Sequence, residues 1–189
     1  MVNILRRSSS SLRGDAGRHS IPGMGFSLIF VRVQGDEQRD ADRDAVASFL
    51  ETHGLHTTDS DGQGSLLVDA DGQALSFDGH WTDLHLDPLD QKGPLSGGID
   101  HASLSDEETT FIYELCVAAG FLIANPQGNP TYLVPGADHA PGEVPDPEDM
   151  DWVNSAAELR QALAGNFDDF REWRDRVVAQ YVDGQADGE

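Results

Sequence analysis

The sequence predicts an α+β fold, in which helices pack on one face of a single, largely antiparallel sheet. Residues 27–34 (SLIFVRVQ) are apolar on both alternating faces, which is typical of a strand in the interior of a sheet. Residues 65–87 alternate apolar and polar side chains around an Asp-Gly pair, which indicates a hairpin. Two further stretches, beginning near residues 38 and 105, carry apolar residues at helical spacing.

The alternating stretch predicts a three-strand antiparallel meander. A two-residue turn at Asp71-Gly72 would pair Val68 with Leu75, because both central positions of such a turn favour positive φ. The third strand then covers residues 80–87, with its leucines on one face. The opposite face of that strand carries Trp81, Asp83, His85 and Asp87.

Two helices flank the meander. The first is predicted over residues 38–53 and ends at Gly54, since glycine readily takes the left-handed conformation that follows a helix. The second opens at Ser105, which forms a capping box with Glu108. Both helices carry apolar residues on one side, so we expect that side to cover the sheet.

The C-terminal part is predicted to add a hairpin and more helix. Residues 121–134 form two short apolar runs around a proline-rich loop, and helices follow, with a break at Gly165-Asn166. The order is therefore strand, helix, three-strand meander, helix, hairpin and C-terminal helices. A ferredoxin-like βαββαβ core is one version of this order.

The chain divides into one folded body and two tails. Residues 1–23 are rich in serine and arginine and lack periodicity, so we expect a disordered basic tail, with Met24 as a candidate native start. Residues 24–182 contain every periodic segment and are predicted to form a single acidic α+β domain. Residues 183–189 are predicted to be a frayed end.

Charge is the most unusual property of the composition. The net charge is −22, with 34 acidic residues against 12 lysines and arginines. Nucleic acids and anionic membranes are bound through lysine and arginine, so both are disfavoured as partners. The same field would attract and steer a basic protein. The alternative is that the charge only maintains solubility or reflects a salty habitat.

The remaining composition favours a cytoplasmic protein. Cys116 is the single cysteine, which excludes an intramolecular disulfide and fits a reducing compartment. No apolar run approaches the roughly 18–20 residues that a membrane-spanning helix needs. The sequence also lacks nucleophile-elbow, dinucleotide-binding and phosphate-loop motifs. We therefore expect no cofactor.

The polar face of the third strand has the residue types of a metal or acid/base site. Asp83, His85 and Asp87 place one histidine between two carboxylates. However, alternate residues of one strand are about 7 Å apart, too far for all three to hold one ion. We therefore predict a solvated polar face without a metal.

The leading hypothesis is a non-enzymatic protein-binding domain that engages a basic partner, for instance as an immunity-type inhibitor of a cationic toxin or nuclease. An exposed aromatic residue ringed by acids is typical of an interface hot spot. The predicted partner-binding residues are Trp81, Asp83, His85, Asp87, Asp146, Glu148, Asp149, Asp151 and Trp152. The alternatives are a structural module in a larger assembly, or a small enzyme or ligand- or metal-binding domain that uses His85 and His101 with neighbouring carboxylates.

Overall fold

The computed structural model describes residues 25–58, 65–136 and 139–186. These residues form three α-helices, α1 (Arg43–Thr52), α2 (Asp106–Ala119) and α3 (Ala156–Ala186), and a 3₁₀ turn at Pro141–Glu143. They also form eleven strands: β1 (Leu28–Gln34), β2 (Glu37–Arg39), β3 (His56–Thr57), β4 (Ser65–Val68), β5 (Ser76–Phe77), β6 (His80–Trp81), β7 (His85–Leu86), β8 (Ser96–Ile99), β9 (Leu122–Ala124), β10 (Tyr132–Pro135) and β11 (Met150–Val153).

Nine of these strands form one sheet. Its order is β11-β10-β9-β1-β8-β7-β4-β3, with β2 paired to the end of β1. Only β10 and β11 run parallel, and the other pairs are antiparallel. The predicted α+β class with a mostly antiparallel sheet is confirmed. The succession β1, α1, β7, β8, α2, β9 is compatible with a ferredoxin-like core, which is a more specific prediction than the α+β class.

The helices cover one face of the sheet and form the main core with it. Leu28 and Phe30 of β1 point into this core, where they meet Leu50 of α1, Ile112 of α2 and Leu163 of α3. Full burial of each such side chain contributes about 1.5–3 kcal/mol, so this contact fixes which face of β1 is inside. The side chains between them in sequence lie on the opposite face, because strand residues alternate.

Helix α1 begins later than predicted. Residues 38 and 39, which the prediction included in the helix, belong to β2, which folds back on β1 through a turn in which Gly35 has a φ of 60°. The helix starts after Asp42, whose carboxylate accepts the backbone N–H of Ala45. An aspartate N-cap satisfies a donor that the first helical turn leaves unpaired. Gly54 follows the helix with a φ of 64°, as predicted.

The turn after β4 also differs from the prediction. Val68 bridges Ala74, one residue short of its predicted partner. The carboxylate of Asp69 accepts the backbone N–H groups of Asp71 and Gln73, which stabilises a wider turn than the two-residue one. Apart from this single bridge, the strand partners of β4 are β3 and β7.

The two-residue turn forms instead at Asp78-Gly79, whose φ values are 50° and 76°. It joins β5 and β6 into a ribbon separate from the main sheet. The ribbon is attached to α2, because the Asp78 N–H donates to Glu107 and the Phe77 ring lies 5.2 Å from that of Phe111. The predicted third strand is therefore divided into β6 and β7.

Strand β8 lies in the middle of the sheet, although no element that the sequence predicts covers residues 96–99. Its Gly97 and Gly98 hide the strand signal, since glycine has a low strand propensity. Their lack of a Cβ is what the packing requires. A Cβ on Gly97 would lie 2.7 Å from the carbonyl oxygen of His85, and one on Gly98 would lie 2.7 Å from that of Leu28.

The C-terminal helices are one continuous helix, α3, so the predicted break at Gly165 is wrong. Leu163, Phe167 and Phe170 continue one apolar stripe past the glycine and pack on the main core. That packing outweighs the propensity cost of one helical glycine, about 1 kcal/mol. Trp173, the next aromatic residue along α3, is 46% exposed and contacts the Phe170 ring.

Parts of the two predicted tails fall beyond the described residues. The tail over residues 1–23, together with Met24, lies outside them. At the other end α3 continues to Ala186, and residues 187–189 lie outside. Within the described ranges, no helix combines the length and the apolarity that crossing a membrane requires.

Replacing Gly98 with alanine should lower the free energy of unfolding by roughly 1–3 kcal/mol, because the new Cβ would overpack the Leu28 carbonyl and the His85 ring. Denaturant unfolding of the purified protein measures the change. Gly93→Ala is the matched control, since its Cβ would meet open space. Equal stability of the Gly98→Ala protein and the wild type would contradict the close approach of β8 to its neighbours.

Candidate functional site

The face of the sheet opposite the helices, here called the open face, carries a continuous row of cross-strand neighbours. The pairing registers align one residue from each of seven strands. Adjacent strands lie about 4.8 Å apart, so the row is about 29 Å long. In sheet order, its members are Met150, Tyr132, Ala124, Ile29, Gly98, His85 and Leu66. Most are apolar, whereas the solvent face of a half-covered sheet is usually polar.

The open face is covered at one end and exposed at its centre. At the covered end, a small second core is formed by Leu122, Val134 and Val144. The segment that contributes Val144 is held by the N–H of Gly35, which donates to the carbonyl of the preceding residue, Glu143, at 2.8 Å. Ile29 lies beyond this cover and is 46% exposed. The central strand therefore presents an isoleucine to solvent.

Two of the predicted partner-binding carboxylates hold the ends of β8. Asp87 accepts hydrogen bonds from the backbone N–H and the hydroxyl of Ser96. Asp83 accepts the backbone N–H groups of Asp100 and His101 and also contacts Nδ1 of His101. These carboxylates satisfy backbone donors at both ends of a central strand, so ordering β8 is their first role.

The two histidines of the alternative hypothesis both approach Asp83. Nδ1 of His85 lies 3.4 Å from the Asp83 carbonyl oxygen, and its half-buried ring packs against Gly98. His101 is exposed and contacts the Asp83 carboxylate. The grouping has acid/base residue types, but the same carboxylate is engaged by backbone donors.

The second group of predicted partner-binding residues, residues 146–152, ends in β11, which is an edge strand of the sheet. The carboxylate of Asp149 accepts the N–H and the hydroxyl of Thr131 and so fixes the start of the strand beside β10. Trp152 stands opposite Val134 on the open face and is 38% exposed. The other carboxylates of this segment are exposed: Asp146, Glu148 and Asp151.

The predicted partner-binding residues occupy three places. Asp83, His85 and Asp87 lie around β7 at one end of the open face, and residues 146–152 lie at the other end. Five strand spacings separate β7 from β11, which is about 24 Å. Trp81 is not on the open face. It is 58% exposed on the separate ribbon and lines a groove beside α3.

Ile29, at the centre of the open face, and Tyr132, at its covered end, are absent from the predicted set. A signal for Ile29 exists in the sequence, because residues 27–34 are apolar on both faces while helices were expected on only one. Tyr132 sits in a short strand whose register with β9 and β11 the sequence does not specify. Cross-strand alignment is set by tertiary pairing, so neither residue is identified by local pattern alone.

Glu108 is a buried carboxylate beneath the loop between β8 and α2. One of its oxygens accepts the N–H of Ser103 at 2.7 Å, the Ser103 hydroxyl at 3.0 Å and the N–H of Leu104 at 2.8 Å. Burial raises the pKa of Glu108 above its ordinary value, although these hydrogen bonds act in the opposite direction. Ser105 caps α2 as predicted, but Glu108 bonds to these earlier residues rather than completing the box.

The described residues give no support for metal or thiol chemistry. Among the described residues, no group of three or more histidine, cysteine, aspartate or glutamate side chains could hold a metal ion. Cys116 is fully buried, and burial raises the pKa of its thiol well above the ordinary range. A thiol in that environment stays protonated and is a poor nucleophile.

Comparison of the chain with protein-family models, with curated proteins and with solved structures finds no match. The functional argument therefore depends on the geometry of this chain alone.

The raised pKa of Glu108 predicts a specific pH dependence of stability. The folded state binds a proton more tightly than the unfolded chain, so the contribution of Glu108 to the free energy of unfolding is greatest in acid and is lost as the pH rises through the raised pKa. Glu108→Gln retains an acceptor oxygen but cannot titrate. The unfolding free energy of wild type minus that of Glu108→Gln should therefore fall as the pH rises from about 4.3, the ordinary pKa of glutamate, through the raised pKa.

Denaturant unfolding at several pH values measures this difference, and the subtraction removes the titration of the other acids. A difference that is constant across the range would contradict a raised pKa at Glu108.

Proposed function

We propose that this protein is a non-enzymatic protein-binding domain whose open face and β11 edge engage a basic partner. The observation that carries the proposal is the row centred on exposed Ile29, with exposed carboxylates of residues 146–151 at its β11 end. An apolar centre with a polar rim is the usual anatomy of a protein interface. The other members of the row are half-buried, apart from buried Gly98, so the apolar surface exposed at its centre is that of Ile29.

The sign of charge on this face favours a basic partner. The strand registers assign neither lysine nor arginine to the open face among the described strands. At the β11 edge, Glu148 and Asp151 are exposed and make no side-chain hydrogen bond or ion pair with the described residues, and Asp151 alternates onto the helix side of the strand. They are therefore available to pair with lysine or arginine of a partner and to steer its approach.

Trp152 gives this edge a candidate hot spot. Its side chain is 38% exposed and lies on the open face of β11, two residues beyond Met150 of the apolar row. Tryptophan is over-represented among the residues that dominate binding energy, because it buries a large rigid surface at low entropic cost. In the finer form of the proposal, the partner is a cationic toxin or nuclease and the protein is its immunity-type inhibitor. The net charge of −22 supports that partner class.

The alternative function, a small enzyme or ligand-binding domain based on His85 and His101, has one observation in its favour. Both histidines approach Asp83. Two backbone N–H groups also engage that carboxylate, which favours a structural role over proton transfer. The protein-binding proposal uses more of the exposed surface and is preferred for that reason.

Ile29→Ser should weaken binding of the basic partner by about tenfold or more, because it removes the centre of the apolar row. The partner is first captured at low salt from the cells that make the protein, then eluted with a salt step. The affinity of the purified pair is then measured by surface plasmon resonance. For a toxin or nuclease partner, stoichiometric loss of its activity tests the immunity form directly.

Val178→Ser is the matched control, since Val178 is a comparably exposed apolar residue on α3, away from the open face. Its affinity should equal that of the wild type. The proposal fails when no stoichiometric basic partner is released by salt, or when the two variants weaken binding equally.

Neutralising the edge carboxylates should act on the association rate. Glu148→Gln with Asp151→Asn should slow association several-fold at low ionic strength, and the difference should largely vanish above about 0.5 M salt, where screening is short-ranged. Stopped-flow mixing with the purified partner measures both conditions. Asp44→Asn with Glu51→Gln removes the same charge from exposed positions of α1. Equal slowing by the α1 pair would show that only net charge matters.

A further inference from the structure

We propose that the groove between the β5–β6 ribbon and α3 is a binding site for a small planar anion, namely an aromatic ring that carries a carboxylate or a phosphate. The groove has a volume of about 480 Å³. This lies in the range of small-ligand sites, roughly 300–1,000 Å³. The site is separate from the open face, and it does not depend on the proposed partner.

The groove lining departs from the charge of the rest of the chain. It contains Arg171 and Arg174 of α3 with His80 and His101, and it contains no aspartate or glutamate. Acids outnumber lysine and arginine by 34 to 12 in the sequence. An acid-free lining with two arginines is therefore the reverse of what composition alone would give, and it favours an anionic ligand.

The two arginines are free to change partners. Arg174 bonds only to Asp175, its neighbour on the same helix, and Arg171 lies 4.0 Å from Asp168. All four side chains of these pairs are substantially exposed, and exposed ion pairs contribute little. A guanidinium can instead bind a carboxylate or phosphate through two parallel hydrogen bonds.

Aromatic side chains make the groove suitable for a planar ring. Trp81 is 58% exposed at its edge. The rings of Phe167 and Phe170 pack edge-on against Phe26, at 5.3 and 5.9 Å between centroids, and the Arg171 guanidinium lies 5.9 Å from the Phe167 centroid. A ligand ring can stack on the indole while its acidic group reaches the arginines.

Two lining residues in the loop between β8 and α2, His101 and Ser103, are held by carboxylates that do not line the groove. Asp83 contacts Nδ1 of His101, which leaves the other ring nitrogen for a ligand. Glu108 accepts both donors of Ser103, a second lining residue. Side chains fixed by such neighbours lose little freedom on binding, which is a property of built ligand sites.

The size of the ligand follows from the charge of the whole protein. A nucleic acid or an acidic protein would be repelled by the net charge of −22 over its whole length. A small anion that enters the groove mainly senses charges within the screening length, about 8 Å at physiological salt. Within that distance Asp168 and Asp175 pair with the two arginines, so an anion binds by taking over their guanidinium hydrogen bonds from these exposed carboxylates.

The experiment is isothermal titration calorimetry of the full chain with three naphthalene probes. 1-Naphthyl phosphate and 1-naphthoate separate the two acidic groups, and 1-naphthalenemethanol is the neutral analogue. We expect saturable binding of one or both anions at one site, with the neutral analogue about tenfold weaker or worse. Which anion binds more tightly identifies the acidic group.

Variants locate the site. Arg171→Gln, Arg174→Gln and Trp81→Ala should each weaken binding of the anion by about fivefold to tenfold. Arg176→Gln, an exposed arginine of the same helix that does not line the groove, should leave binding unchanged. Circular dichroism checks that each variant is folded. The proposal is overturned when neither anion binds saturably, when the neutral analogue binds equally well, or when Arg176→Gln weakens binding as much as the groove variants.

Discussion

The close approach of β8 to both of its neighbours is the constraint on which the rest of the sheet depends. Strand β8 is the only link, in the order of the described sheet, between the part built on β1 and the part built on β7. Gly97 and Gly98 permit this link because a Cβ at either position would collide with a carbonyl oxygen of the adjacent strand. The same contact lines up Ile29, Gly98 and His85 across three strands and so defines the centre of the open face.

A strand with two central glycines needs help at its ends, and carboxylates provide it. Asp40 accepts the N–H of Leu95 just before β8, and Asp87 accepts that of Ser96. Asp83 accepts the two backbone donors that follow the strand. The hydrogen bond from the Arg43 guanidinium, together with that from Leu95, lowers the pKa of Asp40 below its ordinary value. Part of the acidity of this chain therefore serves structure, because each ionised carboxylate satisfies donors that the strand ends leave unpaired.

The sequence predicts those parts of the fold that depend on local chemistry. The interior strand at β1, the Ser105 cap of α2, and the Gly54 end of α1 follow from periodicity and capping, and all three are present. The class follows from their order. These signals act within a few residues, so a single sequence contains them in full.

Tertiary pairing decides what the sequence does not predict. The Asp-Gly signal occurs twice within residues 65–87, and the tight turn forms at the second site because Asp69 stabilises a wider turn at the first. Strand β8 has no strand pattern in the sequence because of Gly97 and Gly98, and these glycines are required only by the close approach of the neighbouring backbones. For the candidate site, the exposure of Trp81 and Trp152 follows from their acidic and polar surroundings. The distance between them, and the alignment of Ile29 with Tyr132, exist only once the strands have paired.

The division of charge between the two sides of the sheet follows from these same elements. Carboxylates free of internal bonds gather at the β11 edge, whereas the groove by α3 collects arginine, histidine and aromatic rings. Asp83 contacts both regions, through the backbone after β8 and through the ring of His101. One carboxylate therefore holds both the end of β8, at the centre of the open face, and a histidine of the groove. The two surfaces are chemically opposite, and their separation depends on which side of the sheet each strand residue faces.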